Sequence, residues 1–203
     1  RKLVGILGMT LPFVLFFGYF LFEIDCTFPP SISHFYYTHL GNVFVGILCA
    51  VSLFLFSYNG HDKGDKIAAK VAGLFALLVA MFPTDFGGYA DMQCSRMTDG
   101  ENPVSNILHY VSATLLFSMF AFFFLFQFTK TDKRGPVAAP KRTRNNIYKV
   151  CGWVIILCIV CIAVVSFIPG QLYQKIKFLK PTFTLETIAL MAFGFSWLIK
   201  GDT

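Results

Sequence analysis

Charged side chains are scarce in this sequence. Only 14% of its 203 residues are Asp, Glu, Lys or Arg, where a soluble domain carries about a quarter. That shortage excludes a water-solvated surface around one core, because the long apolar runs exceed what such a core buries. Acidic residues are the scarcer sign, 11 against 17 basic, leaving a formal net charge of +6. The basic residues concentrate in one connecting segment, so the excess reads as membrane topology and no nucleic-acid partner is expected. No Asp, Glu, Arg or His falls near the middle of any long apolar run. This argues against an ion-coupled transporter, which binds ions or substrate at that depth. HxxxH and HExxH patterns are also missing. So is a cleavage site after the apolar run Leu3–Phe22, which is too long for a signal-peptide core and is expected to be a retained span.

What the sequence has in abundance is hydrocarbon. Hydrophobic residues make up 56% of the chain, including 25 Phe. A helix needs about 20 apolar residues to cross a hydrocarbon core of about 30 Å. Six runs approach that length: 3–22, 41–58, 67–82, 104–128, 148–168 and 183–199. They are continuous rather than alternating, which favours helices over barrel strands. The expected fold is all-α, a single compact bundle of six transmembrane helices. Small residues four apart (Ala69 and Gly73, Ala72 and Ala76, Gly46 and Ala50) predict close packing of the second and third spans. Phe122–Phe124 are expected to face lipid or another subunit, and Trp197 with Lys200 to anchor the last span at the interface.

Orientation follows from the lysines and arginines. The segment 129–147, read as a mobile basic loop, and its flanks hold Lys130, Lys133, Arg134, Lys141, Arg142, Arg144 and Lys149. Lys63, Lys66, Arg1, Lys2 and Lys200 fall on the same side of a six-span chain, so both termini are expected in the cytoplasm. Asn145 or Asn146 is expected to cap the fifth span, with Arg142, Arg144 and Lys149 placed to meet lipid phosphates. Lys175, Lys177 and Lys180 fall on the opposite side, which suggests that their loop lies in the headgroup plane. Cys26 and Cys94 share that outer side, where a disulfide can form. Cys158 and Cys161 have CxxC spacing inside an apolar span and read as packing residues. The short loops and two outer cysteines suit a bacterial plasma membrane.

Polar side chains gather at the outer helix ends. Ser31, Ser33, His34, Tyr37 and His39 follow the first span, and Asp85 follows the third. Asn106 and His109 share a face in the first turns of the fourth span, and Glu186 lies one turn into the sixth. These residues form a candidate extracytoplasmic polar pocket. His34, His39 and His109 are numerous enough to hold zinc, which would activate water for hydrolysis. The alternative is ordinary interfacial and packing roles that need no cofactor.

Pro30-Ser31-Ile32-Ser33 after an apolar span, Asn106-Ile107-Leu108-His109 opening the fourth, and a basic loop before the fifth resemble the six-span DRAM/Sfk-like membrane family. Segments such as Phe44-Val45-Gly46, Arg144-Asn145-Asn146-Ile147-Tyr148 and Glu186-Thr187-Ile188-Ala189-Leu190 are similar to uncharacterised bacterial six-span proteins. The resemblance implies lipid handling, lipid-anchor maturation or trafficking, without an established active site. His34 stands where the DRAM-like pattern favours an acid. A fainter similarity is to alkaline-ceramidase-like hydrolases, but their last-span His pair is missing here. Three activities stay open at this point: a non-enzymatic protein that binds a lipid or another membrane protein, a zinc-dependent lipid hydrolase at the outer leaflet, and a homo-oligomeric channel or membrane effector.

Overall fold

The computed structural model of the protein describes residues 1–22, 26–60, 62–85, 103–130 and 139–201. Among these the secondary structure is entirely helical. The long helices are α1 (Lys2–Phe22), α2 (Gly41–Phe56), α3 (Lys63–Met81), α4 (Pro103–Phe122), α5 (Ala139–Ser166) and α7 (Pro181–Gly201), and a short α6 (Gly170–Ile176) precedes the last. A 3-10 turn covers Ser33–Tyr37, a π turn (Phe123–Gln127) extends α4, and a second 3-10 turn (Lys177–Leu179) follows α6.

Local chemistry sets several boundaries. Asp62 caps α3 by accepting the Asp65 N–H at 2.8 Å. Pro83 and Pro169 follow the ends of α3 and α5, where proline disfavours a helical predecessor. Lys180, left-handed at φ 45°, breaks the chain before Pro181 begins α7.

Among the described residues, four helices are long and apolar enough to cross a membrane: α1, α4 with its π turn, α5 and α7. The shorter α2 is also apolar, with 16 residues. The 19-residue α3 carries Lys63, Asp65, Lys66 and Lys70 in its first half. The strongest packing runs α1–α2–α3–α4–α5–α7 and back to α1. Six helices therefore form a closed ring in chain order.

Two sets of contacts define the ends of that ring. At the basic end, the Arg1 guanidinium lies 5.6 Å from the Tyr58 ring centre, Lys130 pairs with Asp62 at 2.6 Å, and Lys200 lies 5.1 Å from the Phe128 ring centre. At the other end, Lys180 reaches the Phe28 carbonyl and Ile32 reaches Glu186.

Close approach depends on missing side chains. A Cβ on Gly194 would sit 2.5 Å from the Gly5 carbonyl oxygen and 2.1 Å from Met9, so α1 and α7 touch backbone to backbone. Between α2 and α3, Ala69, Ala72 and Ala76 are fully buried, and the Ser52 hydroxyl donates to the Gly73 carbonyl at 2.7 Å. The small-residue pattern therefore marks the α3 face of this seam. Gly46 is not part of it, since a Cβ there meets nothing within 4 Å.

Three expectations are corrected. Phe123 and Phe124 are fully buried rather than outward-facing, because the wider π turn puts successive side chains on the bundle side. Phe122 is 36% exposed. Trp197 is also fully buried, with its ring centre 5.1 Å from Tyr58 and 5.3 Å from Phe128, so it is a core residue and not an interfacial anchor. Finally, α5 begins at Ala139, so Asn145 and Asn146 lie inside the helix rather than capping it. Asn145 instead donates to the Thr129 carbonyl at 3.4 Å. Arg142 and Lys149 are exposed on the first turns of α5, and Arg144 is half-buried. Lys133 and Arg134 lie outside the described residues.

Overpacking the α1–α7 contact is expected to cost about 2 kcal/mol, or about 4–8 °C in unfolding temperature. Gly194→Val should show this loss in a detergent melt, whereas Gly46→Ala, which enters open space, should not. Equal losses for the two would contradict the packing described.

Candidate functional site

The polar cluster opposite the basic end forms around the turn between α1 and α2. Ser31 organises it: its Oγ accepts the His34 backbone N–H at 3.3 Å and lies 2.6 Å from His34 Nδ1. With the hydroxyl donating to Nδ1, the neutral imidazole carries its proton on Nε2. Burial in this segment, which lies between the long helices α1 and α2, lowers the His34 pKa to about 4. The Asp85 charge opposes that shift, while His109 and Lys180 reinforce it. Thr38 closes the turn by donating to the Phe35 carbonyl at 2.9 Å and accepting the Leu40 N–H at 3.1 Å.

Three long-range bonds fix the turn to α7 and the segment before it. The Ile32 N–H donates to Glu186 Oε2 at 2.6 Å, the Phe183 N–H to the Pro30 carbonyl at 3.1 Å, and Lys180 Nζ to the Phe28 carbonyl at 2.6 Å. A fourth bond, from the Tyr37 hydroxyl to the Thr84 carbonyl, fixes the turn to the end of α3. That end is held in turn by α4. Asn106 Oδ1 accepts the Asp85 N–H at 3.0 Å, Ser105 donates to the Pro83 carbonyl at 3.0 Å, and Tyr110 donates to Asp85 Oδ1 at 2.9 Å. His109 Nδ1 lies 2.8 Å from the Phe82 carbonyl. A carbonyl only accepts, so Nδ1 carries the proton and Nε2 keeps its lone pair.

The expected site residues therefore separate into two connected groups. Ser31, Ser33 and His34 join Glu186 on the α7 side, and Asp85, Asn106 and His109 join at the α3–α4 junction. Tyr37 links them. His39 is exposed at the edge of the turn. Among the described residues, no three His, Cys, Asp or Glu side chains converge as metal ligands. Tyr110 was not anticipated, although it directly follows His109. The carbonyl and N–H partners of the two histidines and Glu186 leave no signal in the sequence.

Beneath the turn lies a cavity of about 50 Å³. Its walls include Gly8 and Leu11 of α1, Phe44 and Val51 of α2, Leu116 and Phe120 of α4, and Leu190 and Phe193 of α7. Phe120 and Phe193 stack with ring centres 3.9 Å apart. The lining is almost wholly apolar. Ser33 and Glu186 supply its polar side chains, where the turn meets α7.

Cys26 is disulfide-bonded, and the Tyr19 hydroxyl donates to its carbonyl. Cys49, Cys151, Cys158 and Cys161 are free thiols, with Cys151 and Cys158 buried between helices. Cys94 lies outside the described residues.

Residues 33–199 match the family described as "Protein of unknown function (DUF998)". No curated protein and no solved structure matches the chain. The match agrees with the resemblance to uncharacterised membrane proteins and lends no support to the DRAM/Sfk-like assignment.

The histidine makes the turn acid-sensitive. His34 titrates near 6.5 when unfolded and near 4 when folded. The unfolded chain therefore binds more protons between those values, and stability falls as pH drops through that window. The full effect is about 3 kcal/mol. Thermal melts from pH 7 to pH 4.5 should show this loss, and His34→Asn, which can still accept from Ser31, should flatten it. An unchanged slope in the variant would remove His34 as the cause.

Proposed function

The chain belongs to the DUF998 family, and from that premise we propose that it is a six-span plasma-membrane protein that binds a lipid, with the end of one hydrocarbon chain in the cavity below the outer turn. The observation that carries this reading is the contrast within the cavity wall. Apolar side chains from five helices surround a space whose polar groups, Ser33 and Glu186, lie where the turn meets α7. Apolar cavities tend to stay dry and accept apolar guests. A lipid ester, amide or hydroxyl near the turn would meet the Ser33 hydroxyl or the Glu186 carboxylate, while its chain would replace empty space with dispersion contacts.

Six spans with cytoplasmic termini suit the same geometry. A closed ring of six alternating helices brings both chain ends to the basic end, with Arg1 and Lys200 near the α2–α3 junction and Lys130. Basic segments resist translocation, which supports a cytoplasmic assignment for that end. The disulfide at Cys26 supports an oxidising compartment for the other. Cys94 is its proposed partner, being the one cysteine besides Cys26 that is not among the free thiols. The zinc hydrolase is the less supported reading: His34 and His109 each commit Nδ1 to the protein, and among the described residues no ligand set assembles around them.

Native mass spectrometry after mild extraction tests the binding. The wild type should retain one lipid. Leu190→Trp, which fills the cavity, should lose it by roughly ten-fold or more while keeping its melting temperature, since added bulk replaces the guest. A bare wild type, or full retention in the folded variant, would overturn the reading.

A further inference from the structure

The connection between α5 and α7 is unlike the rest of the molecule. No residue of α6 or of the 3-10 turn after it is buried. Phe167 is 88% exposed and Phe178 75%, and Leu172 and Leu179 are also exposed. Lys175, Lys177 and Lys180 interleave with these apolar residues, and the sequence 167–185 contains no Asp or Glu. Only Lys180 is committed, to the Phe28 carbonyl at 2.6 Å. Lys175 and Lys177 are exposed and make no ion pair with a described residue.

Neither half of this surface suits water alone or hydrocarbon alone. Four large apolar side chains favour the acyl boundary, while two free ammonium groups favour the aqueous side of it. The segment joins the ends of two helices long enough to cross a membrane, which brings it to headgroup depth. A short element with exposed Phe and Leu among lysines is the pattern of an in-plane membrane contact, and unbalanced positive charge there complements an anionic headgroup.

We propose that residues 167–180 form an in-plane docking surface for anionic phospholipid, with Phe167, Leu172, Phe178 and Leu179 in the acyl boundary and Lys175 and Lys177 on the headgroup phosphate. The charge on this loop, which runs against the distribution expected for an outer loop, then has a function. This surface is separate from the cavity and does not depend on the cavity being occupied.

The full chain in nanodiscs of phosphatidylcholine and phosphatidylglycerol at three to one provides the test, with co-purifying lipid counted by native mass spectrometry. The wild type should be enriched in phosphatidylglycerol above the input ratio. Lys175→Gln with Lys177→Gln should return the bound lipid to near the input ratio, since each lysine changes phosphatidylglycerol affinity by roughly five-fold. Leu190→Trp should leave it intact, which separates this surface from the cavity. Retention at the input ratio would overturn the proposal. So would enrichment that survives the lysine changes but falls with Arg142→Gln and Arg144→Gln. A second measurement needs no variant: backbone amides of 171–179 should exchange more slowly in discs containing phosphatidylglycerol than in phosphatidylcholine alone, and equal rates would count against the proposal.

Discussion

The hydrogen bond from the Ile32 N–H to Glu186 Oε2 governs the half of this molecule opposite the basic end. A backbone N–H buried without a partner costs about 1–3 kcal/mol. Ile32 is 4% exposed, so its N–H depends on that carboxylate. The bond holds the 31–38 turn against α7. From that turn follow the Ser31–His34 pair and the Tyr37 contact to α3, and through α3 the junction with α4. The same carboxylate lines the cavity, so one side chain both positions the turn and provides polarity where a ligand would meet it.

The ring below makes that arrangement possible. In lipid, water does not drive helices together, and association depends on close van der Waals contact and interhelical hydrogen bonds. Gly5 against Gly194 closes the last helix on the first, and the alanine face of α3 closes on α2. Inside the ring, Phe120 of α4 and Phe193 of α7 stack on each other. Small residues at the seams and large ones inside leave a cavity of about 50 Å³ within the packed core.

The membrane class was legible because apolar run length and charge depletion are properties of composition. The gathering of Ser31, His34, Asp85, Asn106, His109 and Glu186 at one end was legible because polar residues are rare enough in apolar runs for each to mark a helix end. Burial of individual apolar residues was not legible. A soluble helix shows its inner face by contrast with a polar outer one, whereas Trp197, Phe123 and Phe124 belong to helices that are apolar all round. The π turn inverted the expectation for Phe123 and Phe124 with no proline or glycine to announce it. The early start of α5 was hidden by its basic first turns, which read equally well as a loop.

The proposed function requires the end of a hydrocarbon chain in the cavity below the turn. Cells fed a diazirine-bearing fatty acid, irradiated before extraction and followed by peptide mass spectrometry, would map which residues lipid chains touch. Adducts on Leu116, Phe120, Leu190 or Phe193 are predicted in addition to those on the outward face of α5. Labelling confined to outward residues such as Trp153 and Leu157, which are more than 60% exposed, would contradict a hydrocarbon chain in the cavity.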